Sequence, residues 1–171
     1  ALLIRTAAGN VLWDCISLID DATIEIINAL GGLRAIAISH PHYYTTLVEW
    51  GRAFGAPVFI HEGDRRWVAR LEDAVMFWDG EVRDLLPGIR VIHCGGHFAG
   101  STILHWESSA DGRGVLLTGD TIQVVPDNRC VTFMRSFPNM IPLPAAEVSR
   151  IAQIVASLRF ERIYGAFWDR D

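Results

Sequence analysis

Apolar positions along this chain fall into short runs broken by turn residues. "ALLIRT" and "VLWDCISL" are apolar runs joined by "AAGN", which predicts a β-hairpin. "DDATIEIINALGG" opens on an Asp cap, spaces its apolar residues for a helix and stops at Gly31-Gly32. "LRAIAISH" predicts a short buried strand, and "TTLVEWGRAFG" a helix with Thr45 or Thr46 as cap and Gly55 as stop. "APVFIH" reads as a strand and "GDRRWVARL" as a short helix. Asp79-Gly80, between "AVMFW" and "EVRDLL", is the strongest hairpin signal in the chain. "GIRVIHC", "STILHWE" and "GVLLTGD" predict three more strands, and "CVTFMRS" carries a weaker strand pattern. "AAEVSRIAQIVASLRF" predicts a long helix and "RIYGAF" the last strand. Strands and helices alternate at both ends of a strand-rich middle, which predicts a mixed α/β fold with helices covering packed sheets.

Composition narrows the function classes. The 171 residues are 50% hydrophobic, enough for one domain with a sizeable core. No stretch approaches the roughly 18 uninterrupted apolar residues of a membrane span, and no signal peptide is visible. The net charge of −5 gives no basic footprint for nucleic acid. All 15 basic residues are Arg, so no lysine here supplies a phosphate loop, a Schiff base or a catalytic amine. Cys15, Cys94 and Cys130 are widely spaced and odd in number, which suits a reducing compartment. The expectation is a cytoplasmic protein that meets a small-molecule substrate and neither membrane nor nucleic acid. Its oligomeric state is left open.

Candidate chemistry gathers at strand ends. In "ISHPHYYTT", His40 and His42 follow a buried strand, where period-two geometry turns both rings to one side. His97 lies in "CGGHFAGST", a Gly-rich turn that lets the backbone fold closely around a ligand. Asp120 ends "VLLTGD", an apolar strand that delivers a carboxylate into a loop. Three imidazoles and one carboxylate in such places suit Zn²⁺ or Fe²⁺. Of the other histidines, His61 is expected to be satisfied by backbone at a strand end, and His93 and His105, inside strands, by core or edge hydrogen bonding. Cys94 is expected to be a buried thiol. Residues 136–144, "SFPNMIPLP", are apolar enough to form a pocket wall or lid, or to cover a sheet.

"HPHYYT", "GGHFAGST" and "LLTGD", in that order, resemble the three marker motifs of the metallo-β-lactamase-fold superfamily of metallohydrolases, and "VLWDC" matches its early strand with a supporting Asp, at Asp14. The resemblance implies a four-layered αβ/βα sandwich over residues 1–171, with strands expected ahead of Ala1. It also implies that His40, His42 and His97 hold a metal ion with Asp120. In two-metal members, an Asp and a His later in the first motif and a His after the last strand hold a second metal. Those positions fall here on Tyr44, Thr45 and Ala166, so every loss belongs to one site and the chain is expected to hold one metal. Zinc comes first and iron second. Tyr43 and Tyr44 are expected either to line the vacated volume, a phenol bonding a developing oxyanion, or to fill it. Asp169 is a further candidate to replace the lost histidine, or a surface carboxylate.

Three functions follow. The first is a hydrolase in which a single metal-bound hydroxide attacks an ester, thioester, lactone or amide, with Asp120, Tyr43 and Tyr44 as catalytic candidates. The second is a mononuclear iron dioxygenase acting on thiol persulfides, held by His40, His97 and Asp120. The third is a non-catalytic metal-binding domain.

Overall fold

A computed structural model describes residues 1–169. The N-terminal hairpin forms as expected: β1 (Leu2–Thr6) pairs antiparallel with β2 (Gly9–Trp13). Helix α1 (Asp21–Ala29) is capped by Asp20, whose carboxylate accepts from Thr23 N. Strand β3 (Ala35–Ala37) lies parallel to β2 and leads into a 3₁₀ turn, Pro41–Tyr43. Helix α2 (Leu47–Phe54) ends at Gly55, which takes the left-handed conformation that suits a C-terminal glycine. Thr46 precedes α2 but does not cap it; its hydroxyl donates to Ile16 O instead. Strands β4 (Val58–His61) and β5 (Val75–Trp78) complete a five-stranded sheet in the order β1-β2-β3-β4-β5. Between them, Glu62–Trp67 is a 3₁₀ helix that stops short of the "VARL" expected to continue it.

Asp79-Gly80 does not make a hairpin. Strand β5 pairs parallel with β4, His61 opposite Trp78, while β6 (Val82–Leu86) pairs with β7 (Ile89–His93) in a second sheet. Trp78 is buried between the sheets, so the chain must cross there, and Gly80 at φ 88° makes the bend. The second sheet continues with β8 (Thr102–Trp106) and β9 (Val115–Gly119). Two short ribbons follow, β10 (Gln123–Val124) with β11 (Val131–Thr132) and β12 (Met134–Ser136) with β13 (Ile141–Pro142), so "CVTFMRS" splits in two. Helix α3 (Ala145–Ala156) then returns the chain to β14 (Arg162–Gly165), parallel to β9.

Alternation along the strands sets the layers. Val11 and Trp13 pack inward with Ala35, Val91, Leu104 and Leu117 between the two sheets. Leu12 and Ile36 point the other way, under Ile27 of α1 and Trp50 of α2. On the far side Ile92, Ile103 and Leu116 pack under Ile151 of α3. Central strands are therefore apolar on both faces, and the result is the expected α/β, αβ/βα sandwich of four layers. The C-terminal ends of β2, β3 and β9 meet the β7–β8 turn at one end of it. There Thr102 N donates to Ser39 O across the sheets at 2.9 Å. No helix among the described residues is long and apolar enough to cross a membrane.

Candidate metal centre

The end of β3 brings His40 and His42, the β7–β8 turn brings His97, and the end of β9 brings Asp120. One ligand atom from each lies within 4.8 Å of all the others. Asp120 Oδ2 stands 3.5 Å from His40 Nε2, 3.7 Å from His42 Nδ1 and 3.8 Å from His97 Nε2. His40 and His97 are buried, whereas the His42 side chain is 56% exposed.

Hydrogen bonds set which ring nitrogen faces the centre. The Asp14 carboxylate accepts from Ser39 N at 2.7 Å and from the Ser39 hydroxyl at 3.0 Å. With its proton spent on Asp14, the Ser39 oxygen at 2.8 Å accepts from His40 Nδ1–H, leaving the Nε2 lone pair toward the centre. His97 Nδ1–H likewise donates to the Met134 carbonyl at 2.9 Å, and its Nε2 is buried with no partner. Asp120 Oδ1 is also buried and unpartnered. His40 Nε2 and His42 Nδ1 are only 3.1 Å apart. With the His40 Nε2 lone pair turned inward, His42 Nδ1–H donates to it, and a cation would replace that proton among the ring nitrogens and the carboxylate. Three nitrogens and one oxygen so arranged fit a zinc-like cation.

Local charge follows burial. Burial pushes the Asp14 carboxyl up to about 7 against the pull of Ser39. Burial also holds His40 and His97 below the ordinary imidazole range, which keeps them neutral and ready to ligate. Burial pushes Asp120 up, and the imidazoles, His40 first and then His97 and His42, pull it down only while they carry a proton. Cys94, buried and pushed up to about 12 by burial, stays outside the cluster as expected.

The tyrosines part company. Tyr43 meets the His40 ring edge-on at 5.1 Å and, with Ala166, Asp14 and Gly119, borders one cavity. Tyr44 lines a different cleft with Pro41, Thr45, Trp67 and Arg70, and packs against the core under α2. Tyr44 therefore does not share a cavity with Ala166, and the expectation of a catalytic Tyr44 is corrected. The cause is the 3₁₀ turn: at three residues per turn, Tyr43 falls under His40 and Tyr44 is rotated away. Thr45 is exposed and Asp169 lies on the surface, outside the cluster.

Phe98 stacks on the His40 ring and meets His97 edge-on, and Phe137 lies tilted 5.7 Å from the His97 ring. Residues 136–144 thus contribute a wall through Phe137, while Met140 is exposed at the tip of the β12–β13 ribbon. Sequence reading missed Ser39, whose single signal is its place before His40, and Asp64. Buried Asp64 accepts from Gly100 N at 2.8 Å and holds the loop that carries His97.

His105, inside β8, donates from Nε2–H to Arg159 O in the loop before β14. His61 and His93 stack across the two sheets at 3.8 Å, which their sequence separation conceals. His61 Nε2–H donates to Gly80 O and its Nδ1 accepts from Gly63 N, so a second proton on the ring breaks a bond. Burial, then the facing His93, lowers its pKa against the weaker pull of Asp79 and Glu62. The unfolded chain therefore takes up this proton first, and stability is lost as pH falls below about 6.5. Metal-free His61→Gln is expected to lose less of its melting temperature than the wild type between pH 7.5 and 5.5. An equal loss in both would remove His61 from the acid response.

No family model matches the chain. It is 52% identical over 167 residues to an uncharacterized protein, YmaE, of Bacillus subtilis (strain 168), matching 98% of this chain and 61% of that protein. The chain thus spans about three fifths of the length of this curated relative. Among solved structures it is similar to TTHA1623 in a di-iron-bound form, with a TM-score of 0.68 at 18% identity over 97% of this chain and 85% of that one. An N-acyl homoserine lactone hydrolase with N-hexanoyl-L-homoserine at its catalytic metal centre gives 0.67 at 17% identity, over 95% and 78%. MEM-A1, a subclass B3 metallo-β-lactamase from a soil metagenome library, gives 0.62 at 19% identity, over 96% and 71%.

Proposed function

Because the chain has the metallo-β-lactamase fold, we propose that it is a metal-dependent hydrolase of an ester, thioester, lactone or amide, with His40, His42, His97 and Asp120 holding one metal ion. One observation carries this reading: three imidazole rings and a carboxylate converge, and hydrogen bonds turn the Nε2 lone pairs of His40 and His97 toward the centre. His40, His42, His97 and Asp120 would hold a divalent cation, which would supply Lewis-acid polarisation of a carbonyl and a lowered pKa of water. Asp120 Oδ1, buried and unpartnered, accepts the proton released as water adds to the carbonyl. The same oxygen returns that proton to the departing oxygen, sulfur or nitrogen as its bond to the acyl carbon breaks. Burial raises the Tyr43 phenol, so it stays protonated at neutral pH and serves as a donor at the border of the site.

Metal content tests the reading directly. Elemental analysis is expected to give close to one transition-metal ion per chain, since no second cluster of ligands occurs among the described residues. Two tightly held ions per chain would sink the one-metal reading. Zinc with ester turnover supports the hydrolase. The exposure of His42 favours a second reading, the mononuclear iron dioxygenase, in which buried His40, His97 and Asp120 form a two-histidine, one-carboxylate face. Iron with oxygen consumption on a thiol persulfide would select it. Bound metal with neither activity would leave a metal-binding domain.

A further inference from the structure

The loop that carries His97 is gripped at a single peptide. His93 Nε2–H donates to Ala99 O at 2.8 Å, and the N–H of the same peptide, on Gly100, donates to Asp64 Oδ1 at 2.8 Å. Each bond polarises that peptide in the sense that strengthens the other. The two grips come from different sheets, since His93 ends β7 and Asp64 lies in the 3₁₀ helix that follows β4. They are also tied to each other. His61, which caps that helix by accepting from Gly63 N, stacks on the His93 ring at 3.8 Å and 11°. Glycine on both sides lets the two backbones approach. A Cβ on Gly63 would stand 3.1 Å from Gly100 N and Cα, and one on Gly100 would stand 2.7 Å from Asp64 N and Cγ. Asp64 is fully buried, and its Oδ2 has no hydrogen-bond partner. A buried carboxylate with one oxygen unpaired is costly to fold, which marks a role in placing the loop rather than in stability.

We propose that Asp64 and His93 are positioning residues for the metal centre, which fix where His97 stands by clamping the Ala99–Gly100 peptide from opposite sides. The inference rests on the reading that His97 binds metal and adds the residues that aim it. Only Phe98 separates His97 from the clamped peptide, and a turn braces that step. Phe98 N donates to Ser101 Oγ at 2.8 Å, and Ser101 N returns a bond to Phe98 O. The His97 ring is held separately, by Met134 O. Backbone and ring are thus fixed at two points, and releasing the peptide leaves the ring anchored at one.

Zinc affinity, measured by competition with a chelator, tests this. Asp64→Ala and His93→Ala are each expected to weaken zinc binding about tenfold. Losses at independent sites multiply, to about 100-fold here, whereas two grips on one peptide fail together, so the double variant is expected to stay within about 20-fold of the wild type. Asp64→Asn keeps an acceptor for Gly100 N–H and is expected to bind zinc within about twofold of the wild type. His105→Ala loses a buried hydrogen bond outside the cluster and is expected to melt earlier with no loss of affinity, which sets simple destabilisation apart. Unchanged affinity in both alanine variants, or a full 100-fold loss in the double variant, overturns the clamp. A metal-free measurement separates this proposal from the metal reading. Exchange of the Gly100 amide with D₂O is expected to be about tenfold faster in either alanine variant than in the wild type. That acceleration in a protein that binds no zinc overturns the metal reading and keeps the clamp. Zinc bound by the wild type, with no acceleration in either variant, overturns the clamp alone.

Discussion

His97→Ala is expected to leave the purified protein nearly metal-free, and His40→Ala to do the same. A site of four ligands binds zinc with an apparent free energy of roughly 10–16 kcal/mol, so removing one ligand of four costs about 3 kcal/mol, or more than 100-fold in affinity. For these two residues the loss is compounded, because Ser39 and the Met134 carbonyl hold no other ring in place. His105→Ala is the control. That side chain is buried and bonded to Arg159 O but lies outside the cluster, so its loss is expected to lower stability and leave metal content near wild type. His42→Ala divides the two enzymatic readings, since full metal retention there favours the two-histidine, one-carboxylate set. Wild-type occupancy in all three ligand variants would put the metal elsewhere.

Gly119→Ala is expected to damage the centre without removing a ligand. A Cβ at Gly119 would stand 2.6 Å from the Ser39 hydroxyl and 2.8 Å from its Cβ. Ser39 cannot yield without breaking its bonds to Asp14 or to His40. Gly119 also has φ 51°, where an alanine costs about 1–2 kcal/mol by itself. Gly55→Ala separates the two effects, because Gly55 has φ 59° and nothing within 4 Å of an added Cβ. Both variants are expected to melt earlier, but Gly119→Ala alone is expected to weaken metal affinity, by about 10–100-fold. Competition with a chromogenic chelator measures this. Equal affinities in the two variants would show that Ser39 does not govern the orientation of His40.

The layers were legible in the sequence because strands buried on both faces read as continuous apolar runs, and the caps Asp20 and Gly55 mark helix ends locally. The four clustered residues were legible through motif order. Other features depend on partners that a linear pattern does not name. Asp79-Gly80 signals a bend, but whether β5 folds back onto β6 or pairs with β4 is decided by where Trp78 is buried. Tyr44 was misplaced because counting along a motif assigns a position, whereas the pitch of the 3₁₀ turn assigns a direction. The Asp14–Ser39–His40 chain and the His61–His93 stack join residues distant in sequence, and neither residue of the stack carries a local sign of the other.

The crossing at Asp79-Gly80 divides the ligands as well as the sheets, with His40 and His42 before it and His97 and Asp120 after it. During synthesis the first sheet can leave the ribosome and pair its strands with only two of the four clustered residues, His40 and His42, in place, too few to retain an ion. Loading at the proposed centre would wait until β9 has emerged and the second sheet has docked on the first. An ion held by the four residues would join the two halves of the chain after translation of both, so its uptake would report that the sandwich has closed.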